Sequence, residues 1–205
     1  MTTGLSTGSF DEMQLNAGIF CKGLDVSSVT DASALATAIA SAKSAGTILG
    51  ATRGGGTFSC RPTLRTIDAD GVRSPFVGAE INDGWDVRLT TTMLEMKPDN
   101  FKLALMSADS VVSGKKTTIT VRNEIKDADY IAKICWIGDL KDGRLVLIEL
   151  TNVLNTNGAT LSFRDKGEGT INVELRAHQS SAVDQTTAPC TIIIFDKPDP
   201  PQTPT

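Results

Sequence analysis

Two neighbouring stretches, "YIAKICWIGDL" and "RLVLIELTNVL", are apolar on both faces. In the first, Tyr130, Ala132, Ile134 and Trp136 point one way, while Ile131, Cys135 and Ile137 point the other. In the second, Leu145, Leu147, Val146, Ile148 and Leu150 again load both sides. Asp142-Gly143 between them supplies the positive φ of a tight hairpin turn. An antiparallel sheet with one wet face alternates apolar and polar residues, so this hairpin needs cover on both faces. A second sheet covers one face. The other requires either a helix or another subunit.

Most of the remaining chain also reads as strands. "TFSCRPTLRT" sets Phe58, Cys60, Pro62 and Leu64 against Thr57, Ser59, Arg61, Thr63 and Arg65, and Pro62 places it at an edge or bulge. "WDVRLTTTM" places Trp85, Val87, Leu89 and Met93 on one side. "TINVELRAH" sets Ile171, Val173, Leu175 and Ala177 against Asn172, Glu174, Arg176 and His178. "TTITVRN" reads as a short strand, "ATLSFRD" follows an Asn157-Gly158 turn, and "CTIIIFD" reads as a last, buried strand. Two helices interrupt. "DASALATAIASAKSAG" carries a stripe of Leu35, Ile39 and Ala42, with Thr30 or Asp31 as cap and Gly46 as stop. "KPDNFKLALMSAD" starts at Pro98 and puts Phe101 and Leu105 four apart. This describes one domain over residues 1–196, followed by a proline-rich loose tail over 197–205.

Composition narrows the chemistry. Net charge is −4, so no basic field invites nucleic acid or an acidic membrane. No apolar run approaches the ~18 residues of a membrane span. The start, "MTTGLSTGSF", has no positive charge and no apolar core, so no secretory signal is expected. Cys21, Cys60, Cys135 and Cys190 lie far apart without a C-x-x-C pair, so no metal site is expected and the thiols are expected to be reduced.

"GATRGGGT", Gly50 to Thr57, is one residue from a phosphate loop, but Gly56 occupies the lysine position and a β pattern follows instead of a helix. His178 has Ser180 and Ser181 nearby but no nucleophile elbow, and reads as a surface or interface histidine. Asp127 and Asp129 precede a strand and read as turn residues. No catalytic or cofactor-binding residue is assigned.

The ordered set "LNAGIFCKGLD", "LGATRGGGTFSCRPTLRTIDADG", "WDVRLTTTMLEM", "NFKLALMSAD" and "VRNEIKDADYIAKICWIGDLKDGRLVLIELTNVLNTNGATLSFRDKGEGTINVELRAH" resembles the major tail tube protein of long-tailed phages and prophages. The alanine-rich segment from Asp31 to Gly46 fits that pattern least well. The resemblance implies a mainly β fold: an antiparallel β-sandwich or partly rolled barrel with one or two flanking helices. It implies six copies in a ring, stacked rings, and a channel through which genome DNA passes without specific binding. The implied partners are further copies of the chain, a tape-measure protein in the lumen, a tail terminator and baseplate or tail-tip proteins. The implied location is the virion tail, made in the host cytoplasm. A phage-derived contractile injection machine shares the fold, and a monomeric β-sandwich binding module is the reading from another class.

On this basis Ile131, Cys135, Ile137, Val146, Leu147 and Ile148 are expected at a subunit interface. "DADGVRSPFVGAEINDG", Asp68 to Gly84, exceeds the ~12–15 residues beyond which loops are uncommon in a compact domain. The resemblance assigns it contact with the next ring, through Asp70, Val72, Phe76, Val77 and Ile81, with Phe76 as anchor. Because Asp plus Glu outnumber Lys plus Arg by 24 to 20, the protein is expected not to retain duplex DNA at physiological salt. A gel-mobility shift that persists at that salt contradicts this charge argument.

Overall fold

A computed structural model describes residues 10–71, 73–163, 165–181 and 186–197. Val72 and the segment beyond Lys197, expected as a loose tail, lie outside them. The elements in chain order are β1 (Ile19–Lys22), α1 (Ala32–Ala45), β2 (Thr52–Thr66), β3 (Glu80–Met93), α2 (Pro98–Ala104), β4 (Ala108–Ser113), β5 (Lys116–Val121), β6 (Ile131–Asp139), β7 (Leu145–Asn155), β8 (Thr160–Ser162), β9 (Thr170–Arg176) and β10 (Cys190–Phe195). The fold is mainly β and every strand pairing is antiparallel.

The main sheet runs β1-β6-β7-β9-β3-β2, with β10 also on β7 and β8 also on β9. It forks at β7. One edge of β7 pairs with β6 from Leu145 to Val153, interrupted at Asn152. The other pairs with β10 over Leu145 to Leu150 and then with β9 at Leu154 and Asn155. A helix-side half (β1-β6-β7-β10) thus passes into a far half (β8-β9-β3-β2). The two halves share one core, in which Phe20, Ile134, Leu150 and Val153 meet Val87, Leu89, Met93, Ile171, Val173 and Leu175. The sheet does not close into a barrel.

The fork turns on Asn152, which has φ 48° within β7. Asparagine tolerates this left-handed conformation better than most residues. The face alternation slips there, as at a bulge, so Leu150 and Val153 both reach the inner core although three residues apart. His178 locks the corner. Its Nδ1 lies 3.1 Å from the Asn152 carbonyl, and Asn152 Nδ2 donates to the His178 carbonyl at 3.3 Å. Its ring meets Tyr130 edge-on at 5.3 Å. His178, expected as a surface or interface histidine, is a half-buried corner residue.

The second face of the hairpin is covered by the chain itself. Cys135, Ile137 and Leu147 pack with Cys21, Leu24, Leu35, Ala42 and Phe195 beneath α1. Asp31 caps α1 by accepting from the Ala34 N–H at 2.8 Å, and Gly46 ends it at φ 71°. Ala32, Leu35 and Ala42 are the buried residues on its inner side. This corrects the expectation for Cys135, Ile137 and Leu147: a helix, not a neighbouring subunit, covers them. Ile131 and Ile148 pack on the inner core, and Val146 is half-buried opposite Ile194 on β10.

Other boundaries also moved. β3 begins at Glu80 rather than Trp85. α2 ends at Ala104, Met106 adopts φ 66°, and the residues after it enter β4, a strand the sequence pattern did not announce. β10 is not buried. It is an edge strand with Ile192 56% and Ile194 57% exposed.

Burial of Ile137 within the chain makes its test a folding one. Ile137→Asp places an unpaired charge under α1 and should destabilise the monomer by about 3–5 kcal/mol, whereas Ile137→Val should cost about 0.5–1.5 kcal/mol. Urea unfolding measures both. An Asp variant with an unchanged midpoint contradicts the seating of α1.

Candidate assembly surface

The far half of the sheet has one apolar and one polar face, as its period-two sequences require. The outer face carries Thr57 and Ser59 from β2, Asp86, Arg88, Thr90 and Thr92 from β3, and Asn172, Glu174 and Arg176 from β9. Register sets them in rows: Ser59, Arg88 and Arg176; Thr57, Thr90 and Glu174. Asp86, Arg88, Glu174 and Arg176 on this face pair with one another. Arg88 Nε donates to Asp86 at 2.8 Å, and Arg88 also pairs with Glu174. Arg176 Nε lies 2.9 Å from the other Asp86 oxygen. Asp86 and then Glu174 hold the Arg88 guanidinium further from titration than usual. Thr92 Oγ1 donates to Asn172 at 2.8 Å. These two guanidiniums and two carboxylates cancel, while Arg61 on β2, exposed and opposite Asp86 in register, adds a third guanidinium and leaves the face with one positive charge.

β2 forms the rim of that face. It is 15 residues long and among the described residues pairs with β3 alone, so its outer edge has no strand partner there. Pro62 lies on it, as an edge permits. The glycine segment opens β2 through a register shift between Thr52 and Gly56, with Gly54 and Gly55 at φ 73° and 70°. Gly56 has a packing reason. A Cβ there would lie 2.5 Å from the Thr90 carbonyl and 2.7 Å from Cζ of the buried Phe20. A hollow of about 330 Å³ beside these glycines is lined by threonines, Arg53, Asn157, Asn172 and Glu174. An extended strand follows Thr57, so the helix N-terminus that a phosphate loop uses is not built here.

Beyond β9 the β2–β3 hairpin continues as an arm. Residues 61–66 and 80–83 are exposed. Arg65 Nε donates to Asp83 at 2.9 Å across the arm. The tip is closed by the Ile67 N–H donating to the Ala79 carbonyl at 2.7 Å and the Ala79 N–H donating to the Phe76 carbonyl at 3.0 Å. The long loop expected over Asp68 to Gly84 is thus shorter, because Glu80 to Gly84 belong to β3. Ile81 sits on that strand opposite Arg65. Asp70 is exposed at the tip, Phe76 is 49% exposed, and Val77 is fully exposed.

A second hairpin, β4–β5, exposes Val111, Val112 and Val121. Arg122 roots it, with Nε 2.9 Å from Asp109 and Nη2 donating to Asp129 at 2.6 Å. Asp129 also accepts from the Lys126 N–H at 2.8 Å, and this bond, aided by Arg122, holds its carboxyl below the usual range. Asp129 thus serves a turn. Asp127 opens the same 3-10 turn. Sequence reasoning read β5 in "TTITVRN" but missed its partner β4, because Val111 and Val112 are adjacent and show no alternation. The one available signal was the Ser113-Gly114 turn, where Gly114 takes φ 59°.

Among the described residues, no group of three or more His, Cys, Asp or Glu side chains is placed to hold a metal ion. No described helix is long and apolar enough to cross a membrane. No family model and no curated protein matches the chain.

The Gly56 contact generates a paired test. Gly56→Ala should cost about 1–3 kcal/mol by displacing Phe20 or the strand. Gly84→Ala, where an added Cβ meets nothing within 4 Å, should stay within about 0.5 kcal/mol. Thermal or urea unfolding of the two variants checks the difference.

Proposed function

We propose that the chain is a structural subunit of a phage tail tube, in which six copies close a ring and rings stack around a channel. The observation that carries this reading is the 15-residue edge of β2, unpaired among the described residues, on a half-sheet whose outer face is polar, with Arg88 and Arg176 ion-paired. A long unpaired edge is a template for another chain. Repeated head-to-tail pairing closes into a ring when the rotation allows it, and stacking then makes a tube. With far halves side by side, the outer face lines the channel. Arg88 and Arg176 are already engaged by Asp86 and Glu174, so of the face's guanidiniums mainly Arg61 is offered to passing phosphates and DNA slides.

In this arrangement the arm tip, with Asp70, Phe76 and Val77, reaches the adjacent ring, and Ile81 supports it from β3. The exposed β10 ladder of Ile192 and Ile194, with Val146 behind it, replaces Cys135, Ile137 and Leu147 as the apolar surface offered to a neighbour. The chain then acts without catalysis or cofactor, in the virion tail after synthesis in the host cytoplasm. Its partners are its own copies, a tape-measure protein, a terminator and baseplate or tail-tip proteins. An injection-machine inner tube uses the same surfaces with different cargo.

Negative-stain microscopy and sedimentation of the purified chain test the proposal. Rings or tubes of uniform width are the expected outcome. A monodisperse monomer at every concentration tried refutes it and leaves the binding-module reading. Phe76→Ser should leave rings but shorten tubes. Tubes of normal length from that variant remove the arm from ring stacking while leaving the β2 edge in place.

A further inference from the structure

The free edges of the two half-sheets approach each other at one pair of side chains. Cys60 is on β2, the outer strand of the far half, and Cys190 is on β10, the outer strand of the helix-side half. Their sulfurs are 4.0 Å apart although 130 residues separate them in the chain. Both are half-buried against the shared core, on strands not paired with each other. We propose that Cys60 and Cys190 form a reversible disulfide that staples the open seam of the sandwich.

The geometry favours this pair. A disulfide requires the sulfurs to close to about 2.05 Å, so the two must approach by about 2 Å. The side chains already face each other from the ends of two strand ladders, where edge strands move more easily than central ones. Cys21 and Cys135 are also register partners, on β1 and β6, but both are fully buried under α1. Burial, with Glu149 nearby, pushes the Cys135 thiol up to about 12, and burial raises Cys21. That pair is screened from any oxidant. Cys190 is pushed up to about 11 by burial and by Cys60, so oxidation at the seam is slow at neutral pH and quickens in alkali.

The oxidant is a low-molecular-weight disulfide such as oxidised glutathione. One cysteine thiolate attacks a glutathione sulfur and releases one glutathione thiolate. The second cysteine attacks the protein sulfur of the mixed disulfide and releases the other. The two cysteine protons pass to the two released thiolates, and two electrons move from the protein to glutathione. The staple is open in a thiol-rich compartment and closes in an oxidising one. It does not depend on the assembly reading, because both cysteines belong to one chain.

The test uses the full chain with oxidised glutathione in mildly alkaline buffer, then thiol counting after unfolding and non-reducing peptide mapping. The four thiols should fall to two, with Cys60 and Cys190 in one linked peptide and Cys21 and Cys135 free. Dithiothreitol should restore all four, and Cys60→Ser should form no internal disulfide. The oxidised protein should melt about 5 °C or more above the reduced one, a gain absent in Cys60→Ser. A linked Cys21–Cys135 peptide, four free thiols, or a lower melting point after oxidation overturns the proposal.

Discussion

Burial of both faces of the β6–β7 hairpin is the constraint on which the rest of the structure depends. Ile134 and Leu150 need one apolar layer, and Cys135, Ile137 and Leu147 need another on the opposite side. One sheet cannot provide both. The chain meets the first need by bending its sheet over itself and the second by laying α1 across the back. The bend requires a corner, and β7 makes it at Asn152. The corner changes which residues face inward, so the same strand serves two half-sheets. It also gives His178 its place, since that side chain and its backbone tie the end of β9 to the bend.

This solution leaves edges. A forked sheet has more free ends than a barrel, and here β2 and β10 both present an edge unpaired among the described residues. Their defences differ. β2 carries Pro62, Arg61 and Arg65, which discourage indiscriminate pairing. β10 carries Ile192 and Ile194, which do not. The tail tube proposal draws on this combination of a guarded edge, an apolar edge and a projecting arm. The outer face, where Arg88 and Arg176 are ion-paired, fits the same reading: a channel for a polyanion works when most of its cations are occupied, whatever the overall charge.

The loop between β2 and β3 shows how far the surface was legible. Its exposed residues were readable because Asp70, Pro75, Phe76 and Val77 sit among glycines and charges. Its length was overestimated because Glu80 to Gly84 lack strong β formers. Those residues are held in β3 by register with Gly-free β2 positions, Thr63 to Thr66, and by the Arg65–Asp83 bridge, both non-local. β10 was misread for the reverse reason. "CTIIIFD" is apolar enough to be central, but only the topology reveals that it has a single partner. His178 looked like a surface or interface residue because its strand alternates. Its neighbours Tyr130 and Asn152 lie far away in sequence.

Sequence alone determined the strand-rich class, the two-sided hairpin, the alternation of β3 and β9, the α1 stop at Gly46 with its start at Thr30 or Asp31, and the lack of a lysine in the glycine segment. These are local matters of side-chain period, capping and backbone freedom, and a few adjacent residues suffice to express them. Tertiary structure decided what covers the hairpin, where the sheet forks, which strands end at a free edge, and that Cys60 and Cys190 meet. Each of these is a contact between segments far apart in the chain. Burial energy depends on apolar area removed from water, not on which element removes it, so the hairpin pattern demanded a cover without naming one.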